Sequence, residues 1–283
     1  MKLKGKTALI TGATGVIGNT IARAFAREGC NLILSGPSKR KTSALVRQFS
    51  TFENVEVRAI PADVSNKKSV QQLFKKTGRN SKGIDILVTA AGIYGAIGTT
   101  DQIEPEAWME AIRVNLLGTF MTIKYSLPFL RKSRRGKIIA LAGGGEGALT
   151  NRSSYVSSKG GVLRLVETLA GELAPIDINA ISPGSVVSGF VDDLLKAGPK
   201  KLGKERYAEA LKQKRGTIAS TPPEKAAALA VFLASSESDG ISGKNISAVW
   251  DKWQEFGRHK KELAKSDVYT MRRIKPKDRG YDW

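Results

Sequence analysis

The stretch ITGATGVIG, residues 10–18, sets Gly12, Gly15 and Gly18 at a three-residue spacing. Immediately before it, TALIT (7–11) is an apolar run that reads as a buried strand, and residues 16–28 carry a helical pattern. Glycines at a strand-to-helix junction allow a tight turn, close approach of a pyrophosphate and close contact of helix with strand. The following helix then offers its unpaired N–H groups and the positive end of its dipole to phosphates. Thr14 and Ile17 lie in the same motif and join the three glycines as candidate cofactor-binding residues. A plain glycine turn is the alternative, but a position between the first strand and the first helix favours the phosphate site.

Outward from this junction, short apolar runs alternate with helical patterns. Strands are predicted at 7–11, 31–35, 55–60, 84–90, 136–142, 176–182 and near 244–249. Helices are predicted at 16–28, 39–50, 66–77, 105–131, 153–173 and 223–234, the last with Pro222 and Pro223 at its start. Such alternation with near-continuous apolar strands implies α/β architecture, a doubly wound parallel sheet (Rossmann fold) covered by helices on both faces. Its binding crevice belongs at the carboxyl ends of the strands. Residues 1–249 are expected to form one domain carrying both the cofactor and substrate sites. A basic, irregular stretch near 185–220 is expected to cover the substrate. Residues 250–283 read as a charged C-terminal extension with Trp253, Tyr281 and Trp283 as anchors.

Composition narrows the chemistry. The chain has 283 residues, 41% of them hydrophobic, enough for a sizeable core. No apolar run approaches the roughly 20 residues that span a bilayer, and the start does not read as a signal peptide. Cys30 is the single cysteine, so an internal disulfide is excluded and a reducing, cytoplasmic setting is expected. His259 is the single histidine, which disfavours a His-based metal cage or a Ser-His-Asp triad, and no metal site is expected. The net charge of +20 can attract polyanions or simply keep the protein soluble. No nucleic-acid-binding motif accompanies it, and no nucleic-acid or membrane partner is expected.

Three further places carry chemistry. After the second strand, LILSGPSKR has Gly36 where an acid usually holds the ribose 2′-OH of NAD, followed by Ser38, Lys39 and Arg40. A 2′-phosphate is then tolerated and attracted, so NADP is favoured, with NAD as the alternative. Lys39 and Arg40 can equally open a solvated helix. After the third strand, Asp63 can accept from an adenine amino group while Val64 covers the ring, or Asp63 can sit near a helix cap. In ALAGGGEGALTNRSSYVSSKGG (140–161), Tyr155 and Lys159 are four residues apart and share one helix face. A lysine so placed can hold a tyrosine ready to exchange a proton.

These motifs, with AAG at 90–92, Asn115 in VNLLG, YVSSK at 155–159 and NAISPG at 179–184, give a chain that resembles the short-chain dehydrogenase/reductase family from Lys4 to about Val249. The resemblance implies oxidation of an alcohol or reduction of a carbonyl with NAD(P), on a small-molecule substrate such as a 3-oxoacyl compound or a sugar. Tyr155 would be the acid/base, with Lys159 binding the nicotinamide ribose and lowering the tyrosine pKa, and Asn115 holding a water in a proton relay. Ala90, Ala91 and Gly92, with Pro183, Gly184, Val186 and Ser188, would complete the cofactor site. Tyr94, Ala142, Gly143, Gly144 and Glu146 would face the substrate. It also implies a homo-oligomer, a dimer or tetramer paired through helices 105–131 and 153–173. The second of these carries Val162, Leu165, Val166, Leu169 and Leu173. The family's substrate-binding serine is replaced by Ala142, while the glycines that follow can supply backbone donors. A catalytically impaired nucleotide-binding regulator or scaffold is the second reading.

Overall fold

The computed structural model describes residues 1–78, 83–143 and 148–283. Its strands are β1 (Thr7–Thr11), β2 (Asn31–Leu34), β3 (Val57–Ala59), β4 (Ile86–Thr89), β5 (Lys137–Leu141), β6 (Asp177–Ser182) and β7 (Asn245–Ser247). They form a parallel sheet in the order β3-β2-β1-β4-β5-β6-β7. Successive strand residues point to opposite faces, and both faces are covered. Ile10, Val88 and Ile139 pack under α1 (Val16–Arg27) and α9 (Pro223–Ala234), in a core with Ile21, Phe25 and Leu229. Their neighbours Leu9, Leu87 and Ile138 pack under α3 (Lys67–Gly78), α5 (Gly118–Leu130) and α6 (Ser153–Glu172), with Val70, Ile123 and Val166. That two-sided burial is why the strands read as unbroken apolar runs. Each such side chain, taken out of water, contributes about 1.5–3 kcal/mol.

The remaining helices are α2 (Lys39–Gln48), α4 (Pro105–Ala111), α7 (Gly189–Leu202), α8 (Lys204–Lys214) and α10 (Lys260–Lys265). Strand order reverses between β1 and β4. There the Ala90 N–H donates to the Thr11 carbonyl at 3.2 Å, and the crevice opens beyond these strand ends.

Three features depart from the sequence reading. The run 105–131 is not one α-helix, since a π-helical segment, Ile112–Leu117, separates α4 from α5. The stretch 185–220 is helical rather than irregular. Val191, Leu194, Leu202 and Ala210 of α7 and α8 close on one another in a small core of their own, with a break at Gly198 (φ +77°) before Pro199. In the extension, Trp253 packs on Phe232 with ring centres 5.6 Å apart, but Tyr281 and Trp283 are exposed. Phe256, Leu263 and Tyr269 do the anchoring instead. The chain is then strapped back over the sheet. Lys244 Nζ donates to the carbonyls of Ser266 (2.8 Å) and Val268 (3.0 Å), and Arg164 donates to that of Met271 (2.6 Å).

Candidate active site

The first glycine loop has no room for side chains where it meets β4. A Cβ on Gly12 (φ +67°) would lie 2.5 Å from the backbone of Ala90 and Ala91, and one on Gly18 would lie 2.4 Å from the Gly12 carbonyl oxygen. Gly15 caps α1 without a side-chain hydrogen bond, and no acid stands in the first turn. The first N–H groups of α1 are therefore available to an anion, and the loop fits a dinucleotide pyrophosphate. Gly36 packs against this loop, for a Cβ there would come within 3.0 Å of Thr14. An acidic side chain at 36 is opposed by that contact. Ser38 caps α2 by accepting from the Lys41 N–H at 3.3 Å. Lys39 and Arg40 are exposed, with no ion pair among the described residues. Asp63 holds a turn, its carboxylate accepting from the Ser65 N–H (2.9 Å) and hydroxyl (2.7 Å), while Val64 is buried against Gly118.

Tyr155, Lys159 and Asn115 are brought together and buried, with exposures of 8%, 5% and 0%. Asn115 stands in the π-helical segment, and its side chain is wholly engaged by the protein. Its Oδ1 accepts from the Ile93 N–H (2.9 Å), and its Nδ2 donates to the Ile93 carbonyl (2.9 Å) and to Ser158 Oγ (2.9 Å). Ser158 in turn donates to the Tyr155 carbonyl at 2.7 Å. Asn115 thus fastens the segment after β4 to the second turn of α6. Lys159 Nζ donates to the Leu141 carbonyl at 2.6 Å, and burial lowers its pKa to about 8.

Burial also raises the Tyr155 phenol well above its usual value, assisted by the neighbouring Tyr94. The influence that lowers it is the charge of Arg152, not that of Lys159. In this arrangement the Lys159 ammonium is turned to the Leu141 carbonyl, and its expected lowering of the phenol remains a proposal. Around the phenol, Tyr94 lies 4.6 Å from Tyr155 and 4.8 Å from Phe190 between ring centres, and Phe190 meets Tyr155 edge-on at 5.9 Å.

On the other side stands Gly143 (φ +130°), where a Cβ would sit 3.2 Å from the phenol oxygen. Ala142 is 3% exposed and forms part of the same wall. Gly144 and Glu146 lie outside the described residues. Gly184 (φ +80°) fits against Thr221, and Ser188 caps α7 by accepting from the Phe190 N–H at 3.4 Å.

Two cavities share Tyr94, Ala142, Tyr155, Pro183, Gly184, Ser185 and Arg206 as walls. The smaller, about 130 Å³, is further bounded by Ile17, Ala90, Gly92, Lys159, Val186, Ser188 and Phe190. The larger, about 950 Å³, reaches Arg152, Trp250, Asp251 and the strapped segment Tyr269–Met271. Of the candidate residues, Ile17, Ala90, Gly92, Lys159, Val186 and Ser188 line the smaller cavity alone, Gly143 the larger alone, and Tyr94, Ala142, Pro183 and Gly184 both. The sequence reading missed Arg152, Arg206, Phe190 and Tyr269–Met271. Arg152 immediately precedes the helix that carries Tyr155, and its nearness in sequence was the one signal; the extension had none. No group of three or more His, Cys, Asp or Glu among the described residues is placed to hold a metal ion. No described helix is long and apolar enough to cross a membrane.

Residues 12–248 match a family model described as enoyl-(acyl carrier protein) reductase. The D-beta-hydroxybutyrate dehydrogenase of Cupriavidus necator is 31% identical over 255 residues, covering 88% of this chain and 96% of that protein. The 3-oxoacyl-[acyl-carrier-protein] reductase FabG of Aquifex aeolicus is 30% identical over 253 residues, covering 87% and 96%. Among solved structures, levodione reductase superposes with a TM-score of 0.78 at 25% identity, covering 90% of this chain and 99% of that one. A short chain dehydrogenase from Mycobacterium smegmatis superposes with a TM-score of 0.72 at 26% identity, covering 89% and 94%.

Proposed function

The chain belongs to the short-chain dehydrogenase/reductase family and is an NAD(P)-dependent oxidoreductase acting between carbonyl and alcohol, and on that premise we propose that NADP carries the hydride, that Tyr155 handles the proton, and that the substrate is a small ketone or secondary alcohol. The observation that carries this reading is the buried set Tyr155, Lys159 and Asn115, with the phenol oxygen turned to the Gly143 backbone.

When bound, the nicotinamide ring supplies or accepts the hydride. The protein's part is positional and electrostatic. Gly12, Gly15 and Gly18 with Thr14 would seat the pyrophosphate, and Ser38, Lys39 and Arg40 the 2′-phosphate. Asp63, Val64 and the 90–92 segment would take the adenosine end, while Pro183, Gly184, Val186 and Ser188 would flank the nicotinamide. Burial keeps the phenol protonated, which suits donation to a developing alkoxide. Asn115 and Ser158 hold the tyrosine's turn in place. Lys159 supplies a positive charge below about pH 8. The Gly143 N–H is the candidate donor in place of a serine hydroxyl.

The test is NADPH oxidation against a panel of ketones. Tyr155→Phe should lower kcat/KM by about 10²–10⁴-fold; a variant that keeps most of the rate overturns the assignment. Tighter binding of NADH than NADPH in parallel titrations overturns the cofactor choice. Ala142, which puts a methyl group where a hydroxyl would hold the substrate oxygen, favours the second reading, a nucleotide-binding protein without turnover. Under that reading NADPH binds and no ketone is reduced, whereas Ala142→Ser restores up to about 10²-fold of rate if a missing donor is the defect.

A further inference from the structure

Arg152 is 94% buried, its exposure being 6%, at the wall of the larger cavity. A buried guanidinium is costly unless a carboxylate or several acceptors surround it. Here its Nε donates to the Thr150 carbonyl at 3.3 Å, and its two terminal nitrogens have no partner among the described residues. No carboxylate lies in ion-pair range of it among those residues. It also stands at the cap of α6, a 20-residue helix with no side chain on its first N–H groups and no acid in its first turn. The dipole therefore adds positive potential at the same place.

Across the cavity, Arg206 binds Glu209 through one terminal nitrogen at 2.5 Å, yet its Nε is sealed from water without a partner. One acid, Asp251, also faces the cavity, and it accepts from the Ser247 N–H at 2.6 Å. On the described walls, Arg152 thus offers unused terminal donors beside Tyr155, and Arg206 adds a second positive charge.

We propose that the substrate carries an oxyanionic group, a carboxylate or a phosphate, which seats on Arg152 with Arg206 beside it while the carbonyl faces Tyr155. This rests on the oxidoreductase reading and names the substrate class for the same site. Arg152 is a specificity residue here, because its fork of donors matches a carboxylate or phosphate in a way that a neutral ketone cannot use.

The experiment compares charged and neutral partners of matched shape. Wild-type protein with NADPH is assayed on 2-oxo-, 3-oxo- and 4-oxopentanoate against their methyl esters, and on dihydroxyacetone phosphate against dihydroxyacetone. At least one charged member should exceed its neutral partner in kcat/KM by about 10–100-fold, the discrimination expected of a charge-assisted pair. The preferred pair tells carboxylate from phosphate. Arg152→Gln should collapse that ratio and Arg152→Lys should restore part of it. Because a ratio is read, any change in the phenol cancels. Calorimetric titration of the same compounds into the NADPH complex gives a readout without turnover, and the charged members alone should bind.

Equal rates and equal binding for charged and neutral members overturn the proposal while leaving the oxidoreductase reading standing. A ratio unchanged in Arg152→Gln also overturns it. Charged members that bind through Arg152 without being reduced support the anion site and count against the oxidoreductase reading.

Discussion

Lys159 carries a charge in a place that water does not reach. Burial lowers its pKa from 10.5 to about 8, which corresponds to roughly 3 kcal/mol against the folded state while the group is charged in both states. Below pH 8 the folded and unfolded chains both hold the proton and the cost is present in full. Between pH 8 and 10.5 the folded chain releases it first, so wild-type stability rises with pH across that window. Lys159→Met should therefore gain about 1–3 kcal/mol in urea unfolding at pH 7, lose that gain progressively toward pH 9.5, and lose turnover. A variant less stable than wild type at pH 7 contradicts this. The importance of Tyr155 and Lys159 is legible in the sequence from their i, i+4 spacing after an apolar strand. The aim of Lys159 at the Leu141 carbonyl is not, because it depends on where β5 ends in space. Arg152 was overlooked for a related reason, since an arginine beside serines reads as solvated until a fold buries it.

At the level of elements, the strands were legible wherever side chains are buried on both faces, as in β4 and β5. The helices α7 and α8 were not. Their apolar residues, Val191, Leu194, Leu202 and Ala210, are few, and lysines with Gly198–Pro199 dilute the period. The π-helical segment was also out of reach, since nothing in IRVNLL departs from an α-helical pattern and Asn115 is fixed by contacts with Ile93 and Ser158. The C-terminal extension misled in the other direction, because aromatic residues near a chain end read as anchors. Phe256 is 5% exposed and stacks on Tyr269 at 5.1 Å. Phe256→Ala should cost about 3–5 kcal/mol and raise KM as the Tyr269–Met271 rim loosens, whereas deleting residues 281–283 should change stability by less than about 0.5 kcal/mol. Chemical denaturation and steady-state kinetics on the two variants distinguish the roles.

For the molecule as a whole, pairing through the 105–131 and 153–173 helices remains our proposal, with a changed basis. Val162, Val166 and Leu169 on α6, and Leu173 at its end, are buried within the chain itself. The exposed apolar side chains are instead Met109, Leu117 and Phe120 along the α4–α5 run, a surface of the kind that mates with another copy. Leu117→Glu with Phe120→Glu should shift the mass in solution at micromolar concentration from dimer or tetramer to monomer without unfolding it; a monomeric wild type overturns the idea.

Phe190 has a kinetic consequence. Its ring stands against Tyr155 and near Gly92, as a wall of the 130 Å³ cavity that the candidate nicotinamide residues also line. It is carried by α7, whose packing is a small core separate from the two beneath the sheet. A nicotinamide ring seated there is expected to wait on displacement of Phe190, so its arrival should be gated by a clock internal to the protein. In stopped-flow mixing the observed association rate should climb with NADPH and then level off at the opening rate. Phe190→Ala should lift the plateau, and the enzyme's tempo would then be set by how often the ligand calls at the door.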